Sequence, residues 1–365
     1  MNGITDIVNE YWQFFHSHPE MGHEEFVTAA YIAEKLREFG YAVTEKVGTT
    51  GVVGVWDSGV EGTSFALRAD MDALRFIING EEKIYHGCGH DAHCAILLTV
   101  AKLLKEQGTV KKGRLTLLFQ PAEEPADGAY AVIDSGVLDG IEEMVGLHLR
   151  NKDDGAVGSL SAALISQGLG VLNVTIHGKV SHASQPHKGV NAIEAAVLSI
   201  NAVNSLRFDP LISHSIKVTR FWADATGENT IPGIANFSFD LRSEDNKLLA
   251  EMKEAAEKAV RCCVETVGAS CEFKYVMNPA AEPDGKLTEY CRRCIIEETG
   301  YAMPDMHTPG ADDFHCYSQI GIKTAYMGLA AEVDPRIHVY GCTFNKACLP
   351  IGVRVMLRIV KGKLG

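Results

Sequence analysis

The sequence predicts an α/β protein in which a doubly wound sheet domain is interrupted by an inserted ferredoxin-like β-α-β-β-α-β unit. Three observations carry this expectation. Short buried strand-like runs at 52–56, 64–67, 115–119 and 144–149 alternate with helical patterns through the first half. From residue 170 the pattern becomes strand 171–176, helix 191–206, strands 215–222 and 235–241, helix 247–267 and strand 271–276. After Pro279 mixed character returns, with a helix over 287–298, a strand at 324–327 and a closing helix from Leu349. The expected domains are therefore 1–168 with 279–365, and 169–278 as the insert.

The elements follow from local spacing. Ile7, Val8, Tyr11, Phe14 and Phe15 form one helical stripe, and Pro19 ends it by keeping His18 out of the helical region. Phe26, Ala30, Ala33, Leu36 and Phe39 make a second stripe, closed by Gly40. The strand at 64–67 leads into Arg68-Ala69-Asp70-Met71-Asp72, whose alternate acids stand where open sheets place functional groups. A helix-compatible run after them leaves helix capping as the other reading. A long apolar helix is expected over 95–104, the strand at 115–119 runs into Gln120-Pro121-Ala122-Glu123-Glu124, and His148 ends the strand at 144–149.

Composition narrows the function. The chain has 365 residues, 46% apolar and 22% charged, the balance of a folded globular protein. A formal net charge of -13 without a basic stripe opposes nucleic acid as a partner. No apolar run reaches membrane-spanning length, and the first fifteen residues carry Asp6 and Glu10 without a basic start or cleavage site. A cytoplasmic location is the default expectation. The ten Cys, irregularly spaced, suit reduced thiols, and Cys291-x-x-Cys294 falls inside a helical pattern as core residues.

The chemistry concentrates at 85–94, where Tyr-His-Gly-Cys-Gly-His-Asp-Ala-His-Cys packs three His, two Cys and one Asp into ten residues. Cys88-x-His90 puts a thiolate and an imidazole on one short turn, as first-row divalent metals require. Cys88, His90, Glu124, His148 and His338 are the candidate ligands for two adjacent ions. Adjacent Glu123 and Glu124 diverge, so one can ligate while the other serves as general base. Asp72, and with it Asp70, suits a group that orients a ligand from behind. A solvated acidic loop for Glu123-Glu124, a satisfied core histidine for His148 and a hydrogen-bonding loop for His182 are the plainer readings of the same residues. Arg75 suits a surface ion pair better than an acyl-group contact.

Four segments carry a resemblance across nearly the whole chain: His18-Pro19-Glu20-Met21-Gly22-His23-Glu24-Glu25, Leu67-Arg68-Ala69-Asp70-Met71-Asp72-Ala73-Leu74, Cys88-Gly89-His90-Asp91-Ala92-His93 and Gln120-Pro121-Ala122-Glu123-Glu124. In order and spacing the chain resembles the metal-dependent amidohydrolases related to aminoacylase, hippurate hydrolase and indole-acetyl-amino-acid hydrolases, metallopeptidase family twenty. The resemblance implies a phosphorylase/hydrolase-like catalytic domain with a satellite domain that often mediates dimerisation. By position it implies Cys88, His90, Glu124, His148 and His338 as ligands of two divalent ions (Zn, Mn or Co) and Glu123 as general base. It implies His182 as an oxyanion-stabilising residue reaching a partner's site in a homodimer, and Asn229 and Arg242 as substrate-binding residues. The chain departs from the family pattern at Gly87, Arg75, Ala92 and His338-Val339-Tyr340. The implied activity is hydrolysis of N-acyl amino acids or similar small amides. A dipeptidase or carboxypeptidase with the same site is the near alternative, and a non-catalytic metal- or ligand-binding homologue the distant one.

Overall fold

The computed structural model describes residues 2–225 and 227–365. Met1 and Thr226, which the sequence-based domain ranges include, lie outside the described residues. The chain divides into two compact units, Met1–Ile165 with Glu282–His307 and Asp312–Gly365, and Ser166–Ala281 with Thr308–Ala311.

The first unit is built on a seven-stranded mixed sheet, in the order Ala42–Val47, Gly51–Asp57, Arg114–Gln120, Ser64–Asp70, Glu143–Asn151, Lys323–Val333, Leu160–Ser161. The four strands from Arg114–Gln120 to Lys323–Val333 pair in parallel, and the flanking ones are antiparallel. The parallel strands are buried almost end to end, which requires cover on both faces. Alternation supplies two cores. Phe65, Leu67, Leu117, Phe119, Val145 and Leu147 face the helices Asn2–His16, His90–Glu106 and Leu349–Leu364. Ala66, Leu118 and Met144 face the opposite cluster around Gly128–Asp134, Phe314 and Tyr317.

The second unit runs strand Gly168–His177, helix Ala192–Asn204, strands His214–Ala223 and Ile234–Ser243, helix Asn246–Thr266 and strand Ser270–Asn278. Its four strands are antiparallel, ordered His214–Ala223, Ile234–Ser243, Gly168–His177, Ser270–Asn278. Strict alternation along Gly168–His177 turns Leu172, Val174 and Ile176 onto the two helices. Asn191 and Asp245 cap those helices through backbone N–H groups of Ile193 and Leu248.

Several local expectations change. His90 is not on a free turn but is the first residue of the helix His90–Glu106, which starts five residues before the expected apolar run because left-handed Gly89 (φ 94°) turns the chain into it. The segment after Asp72 is a hairpin, Leu74–Ile78 with Glu81–Tyr85, so neither Asp70 nor Asp72 caps a helix. His148 lies inside the strand Glu143–Asn151 rather than at its end. Glu123 and Glu124 sit in a turn beyond the strand end at Gln120, because Pro121 and Pro125 cannot continue a ladder.

That turn is tightly determined. Ala122 adopts φ 54°, unfavourable for a side chain, and its N–H donates to buried Glu25 Oε1 at 2.8 Å. Gly128 N–H closes the turn onto Ala122 O at 3.0 Å. A Cβ on Gly128 would lie 1.8 Å from Pro121 O. Gly128→Ala is therefore expected to destabilise the protein by about 3 kcal/mol in urea unfolding. Gly3→Ala, with nothing within 4 Å in a helix, is expected to raise stability by about 0.5 kcal/mol.

Candidate metal centre

The sheet brings Cys88, His90, Glu123, Glu124, His148 and His338 together in the first unit. Cys88 Sγ lies 3.4 Å from His148 Nε2 and 3.2 Å from His338 Nε2. His338 Nε2 is 3.6 Å from Glu124 Oε2, and His90 Nε2 is 3.8 Å from Glu123 Oε2. Three overlapping donor groups result, Cys88/His90/His148, Cys88/Glu124/His338 and His90/Glu123/Glu124, each with its ligand atoms within 4.8 Å of one another. Shared donors in adjacent groups suit two neighbouring ions better than one.

Hydrogen bonds behind the donors orient them. His90 Nδ1 meets the Asp72 carbonyl at 3.0 Å and its carboxylate at 3.1 Å, so Nδ1 carries the proton and Nε2 presents a lone pair. The other Asp72 oxygen accepts from Glu124 N–H at 2.9 Å. One carboxylate thus sets a histidine and the glutamate turn. His148 Nδ1 donates to Leu149 O at 2.6 Å, which likewise frees Nε2 toward Cys88. His90 Nε2 and Glu124 Oε1 are buried without hydrogen-bond partners among the described residues. Each such orphan costs about 1–3 kcal/mol, a penalty a bound cation removes, and thiol, imidazole and carboxylate are the donor set that zinc accepts.

The electrostatics agree. Burial, reinforced by Asp312 and Glu124, pushes the Glu123 carboxyl well above the usual range. Burial lifts Glu124 to about 7 and, with Glu124 beside it, raises the Cys88 thiol. Burial opposes charging His90, but Asp70 and Cys88 raise it well above an ordinary histidine. Burial pushes His148 down to about 3. Carboxyls raised in pKa and an imidazole drawn toward the charged form mark a site short of positive charge.

Beneath lies a buried ion network in which the sequence offered a role only for Asp70, and none for Arg68, His93, Asp312 or Asp313. Arg68 Nη1 donates to Asp70 Oδ2 at 2.5 Å, Nη2 to Asp313 Oδ1 at 3.0 Å and Nε to Gln120 Oε1 at 2.8 Å. Asp70 binds His93 Nδ1 at 2.6 Å, and His93 Nε2 accepts the Leu149 N–H at 2.9 Å. With both nitrogens engaged, His93 has no lone pair left for a metal. Tyr326 donates to Asp312 at 2.8 Å. Arg68 Nη2 also lies 3.8 Å from Asp312 Oδ1, so one guanidinium serves three carboxylates, and burial pushes Asp313 up to about 8. The signal in the sequence was Arg68 and Asp70 at alternate positions, on the same side of one strand.

His338 stands at φ 63°, held there by its N–H to Gly87 O at 2.7 Å and by Ile337 N–H to Asn151 Oδ1 at 2.9 Å. Of the remaining histidines near the start, His16 pairs with Asp91 at 2.7 Å and His23 meets Thr49 and Asp127, each at 2.9 Å. Arg75 meets Glu82 at 3.4 Å on the surface. Cys291 and Cys294 are buried core thiols. In the second unit, exposed His182 has Nδ1 2.7 Å from Ser184 Oγ and Nε2 3.2 Å from Asn229 Nδ2. Arg242 makes a two-pronged bond to Asp240 at 2.9 and 3.1 Å.

A largely buried set of thiol, imidazole and carboxylate donors, gathered in and beyond the parallel strands, has the composition of a hydrolase-type metal centre. Residues 66–362 match the model of Peptidase family M20/M25/M40, and the chain belongs to that family. Hippurate hydrolase of Campylobacter jejuni is 32% identical over 96% of this chain and 96% of its own. Thermostable carboxypeptidase 1 of Saccharolobus solfataricus is 29% identical over 95% of this chain and 91% of its own. A solved structure from methicillin-resistant Staphylococcus aureus superposes with a TM-score of 0.91 at 26% identity, covering 100% of this chain and 98% of that one. The fold is shared with a dinuclear metal-binding peptidase of Bacillus subtilis, at a TM-score of 0.81 and 24% identity, over 100% and 99% of the two chains.

Asp72→Ala is expected to weaken divalent-metal binding about 10- to 100-fold in chelator competition, with the fold retained by circular dichroism. A second expectation concerns His315, buried with an unpartnered Nε2 and pushed by burial from 6.5 to about 4. Between these values the unfolded chain binds the proton and the folded one does not, so stability is lost as pH falls below 6.5. Wild-type protein should lose about 1 kcal/mol more than His315→Gln in urea midpoints compared at pH 7 and pH 5.5.

Proposed function

We propose that this protein hydrolyses the amide bond of N-acyl amino acids or similar small amides, with Glu123 as general base. The observation that carries the reading is Glu123 itself: buried, 3.8 Å from the free nitrogen of His90, adjacent in sequence to a candidate ligand, and raised in pKa by burial and by Asp312. A carboxyl tuned upward by its surroundings can take a proton from water and return it to a leaving amine. Cys88, His90, Glu124, His148 and His338 would hold two divalent ions, zinc, manganese or cobalt, which when bound supply an acidified water and polarise the carbonyl. Asp72 and Asp70 keep the histidines oriented. Membership in a family with a hippurate hydrolase among its relatives supports the substrate class.

The second unit is read as the ferredoxin-like satellite, residues 169–278, with 1–168 and 279–365 forming the catalytic domain. Its sheet ends at His214–Ala223, an edge strand with Phe221 and Trp222 exposed, and the helix Ala192–Asn204 exposes Ile193, Val197 and Leu198. An open edge beside apolar side chains supports a homodimer through this unit. In that arrangement His182 would hydrogen-bond the oxyanion in a partner's site, and Asn229 and Arg242 would hold substrate polar groups. A cytoplasmic setting is consistent with the absence, among the described residues, of any helix long and apolar enough to cross a membrane.

A carboxypeptidase reading is favoured by one observation, the similarity to thermostable carboxypeptidase 1 along nearly the whole chain. A panel of N-acetyl and N-benzoyl amino acids, unblocked dipeptides and longer peptides separates the two. Acyl amino acids are expected to be cleaved and peptide C-termini left intact, and the reverse would establish the carboxypeptidase. Glu123→Gln should keep its metal content while losing turnover by about 10³-fold. Retained activity would remove Glu123 from the chemistry.

A further inference from the structure

We infer that the first unit carries a second binding site, for a small aryl or alkyl carboxylate, in a cavity of about 190 Å³ behind the loop that holds Cys88. The loop has two sides. Cys88 Sγ faces His148 and His338, whereas residues 87–89 also form part of the cavity wall. His90, Glu123, Glu124, His148 and His338 do not line the cavity, so of the donor cluster only Cys88 borders it.

Its walls specify the occupant. Trp12, Tyr85, Phe344 and Leu149 make an apolar slot suited to a flat or branched hydrocarbon body. Among them is His86, 5% exposed, with neither ring nitrogen partnered among the described residues. Two buried unpaired nitrogens call for a polar group in the cavity. Charge identifies that group. Asp91 is already matched by His16 at 2.7 Å and by Ala92 N–H at 2.8 Å. Lys346, exposed on the lining, holds its ammonium 4.3 Å from the Trp12 ring centroid and makes no ion pair with a described residue. Of the acid and the ammonium on the wall, Asp91 already has hydrogen-bond partners and Lys346 alone is without an ion-pair partner among the described residues, so the head group that completes the site is an anion facing Lys346. A space of this size takes on the order of ten non-hydrogen atoms, the size of benzoate.

An occupant would bear on both ligand loops, because Gly87 O accepts from His338 N–H at 2.7 Å and lies 3.5 Å from Cys342 Sγ. If the amide-hydrolase reading holds, the acid released by the reaction is one source of such a ligand, but binding itself does not depend on that reading.

The test is a titration of the full-length, metal-loaded protein with benzoate, followed by tryptophan fluorescence and by saturation-transfer NMR. Saturable binding is expected below about 20 mM, with the fluorescence change absent in Trp12→Phe. Lys346→Gln, at an exposed position, should weaken binding roughly fivefold or more, as should replacing benzoate by neutral benzamide. His86→Phe should weaken it while preserving the flat wall. Glu123→Gln should bind benzoate like the wild type, which keeps this outcome separate from the fate of the hydrolase reading. No saturable binding would leave the cavity to water and overturn the proposal. Binding indifferent to both Lys346→Gln and His86→Phe would place benzoate elsewhere and overturn it equally.

Discussion

The bond between Asp72 and His90 is the constraint on which the rest of the site depends. It removes a histidine and a carboxylate from water together, points the imidazole's free nitrogen inward, and through its second oxygen holds the backbone of Glu124. Neither group tolerates burial alone. The pair is stable only because the sheet beneath is fully packed and because the inward nitrogen faces other donors across a gap that a cation can bridge.

That arrangement needs a rigid floor, and the Arg68 network supplies it. Arg68 ties the ends of two parallel strands to Asp313, while Asp70 passes the constraint through His93 to the backbone of Leu149, next to His148. His90, His93 and Cys94 all lie in the first two turns of one helix, so the same segment faces the donor cluster and the ion network. The glutamate turn is fixed separately by Glu25 and by the close approach of Gly128 to Pro121. Buried networks of this kind contribute geometry more than net stability. Here the geometry holds a set of acids at raised pKa, the condition under which a carboxyl can work as a proton shuttle near neutral pH.

What the sequence made legible follows physical range. Cys88-x-His90, the adjacent glutamates and the buried parallel strands are local patterns, and composition with spacing is enough to read them. The β-α-β-β-α-β order was legible because each strand of that unit alternates against one helical layer. The strand Ala42–Val47 gives no periodic signal because it is an edge strand with a single buried residue, and the hairpin after Asp72 gives none because it is half exposed. Roles that depend on distant partners left little local trace beyond the alternation of Arg68 and Asp70. Arg68 and Asp313 are 245 positions apart, and Glu25 reaches Ala122 across 97. The left-handed backbone at Ala122 is set by Glu25, and that at His338 by Gly87 and Asn151, not by the residues themselves.

Cobalt substitution tests the central claim, that overlapping donor groups sharing Cys88 hold two adjacent ions, most directly. Two equivalents of cobalt are expected to bind per chain, with a thiolate-to-cobalt charge-transfer band that disappears in Cys88→Ser. A single equivalent, or two equivalents without a band dependent on Cys88, would contradict it.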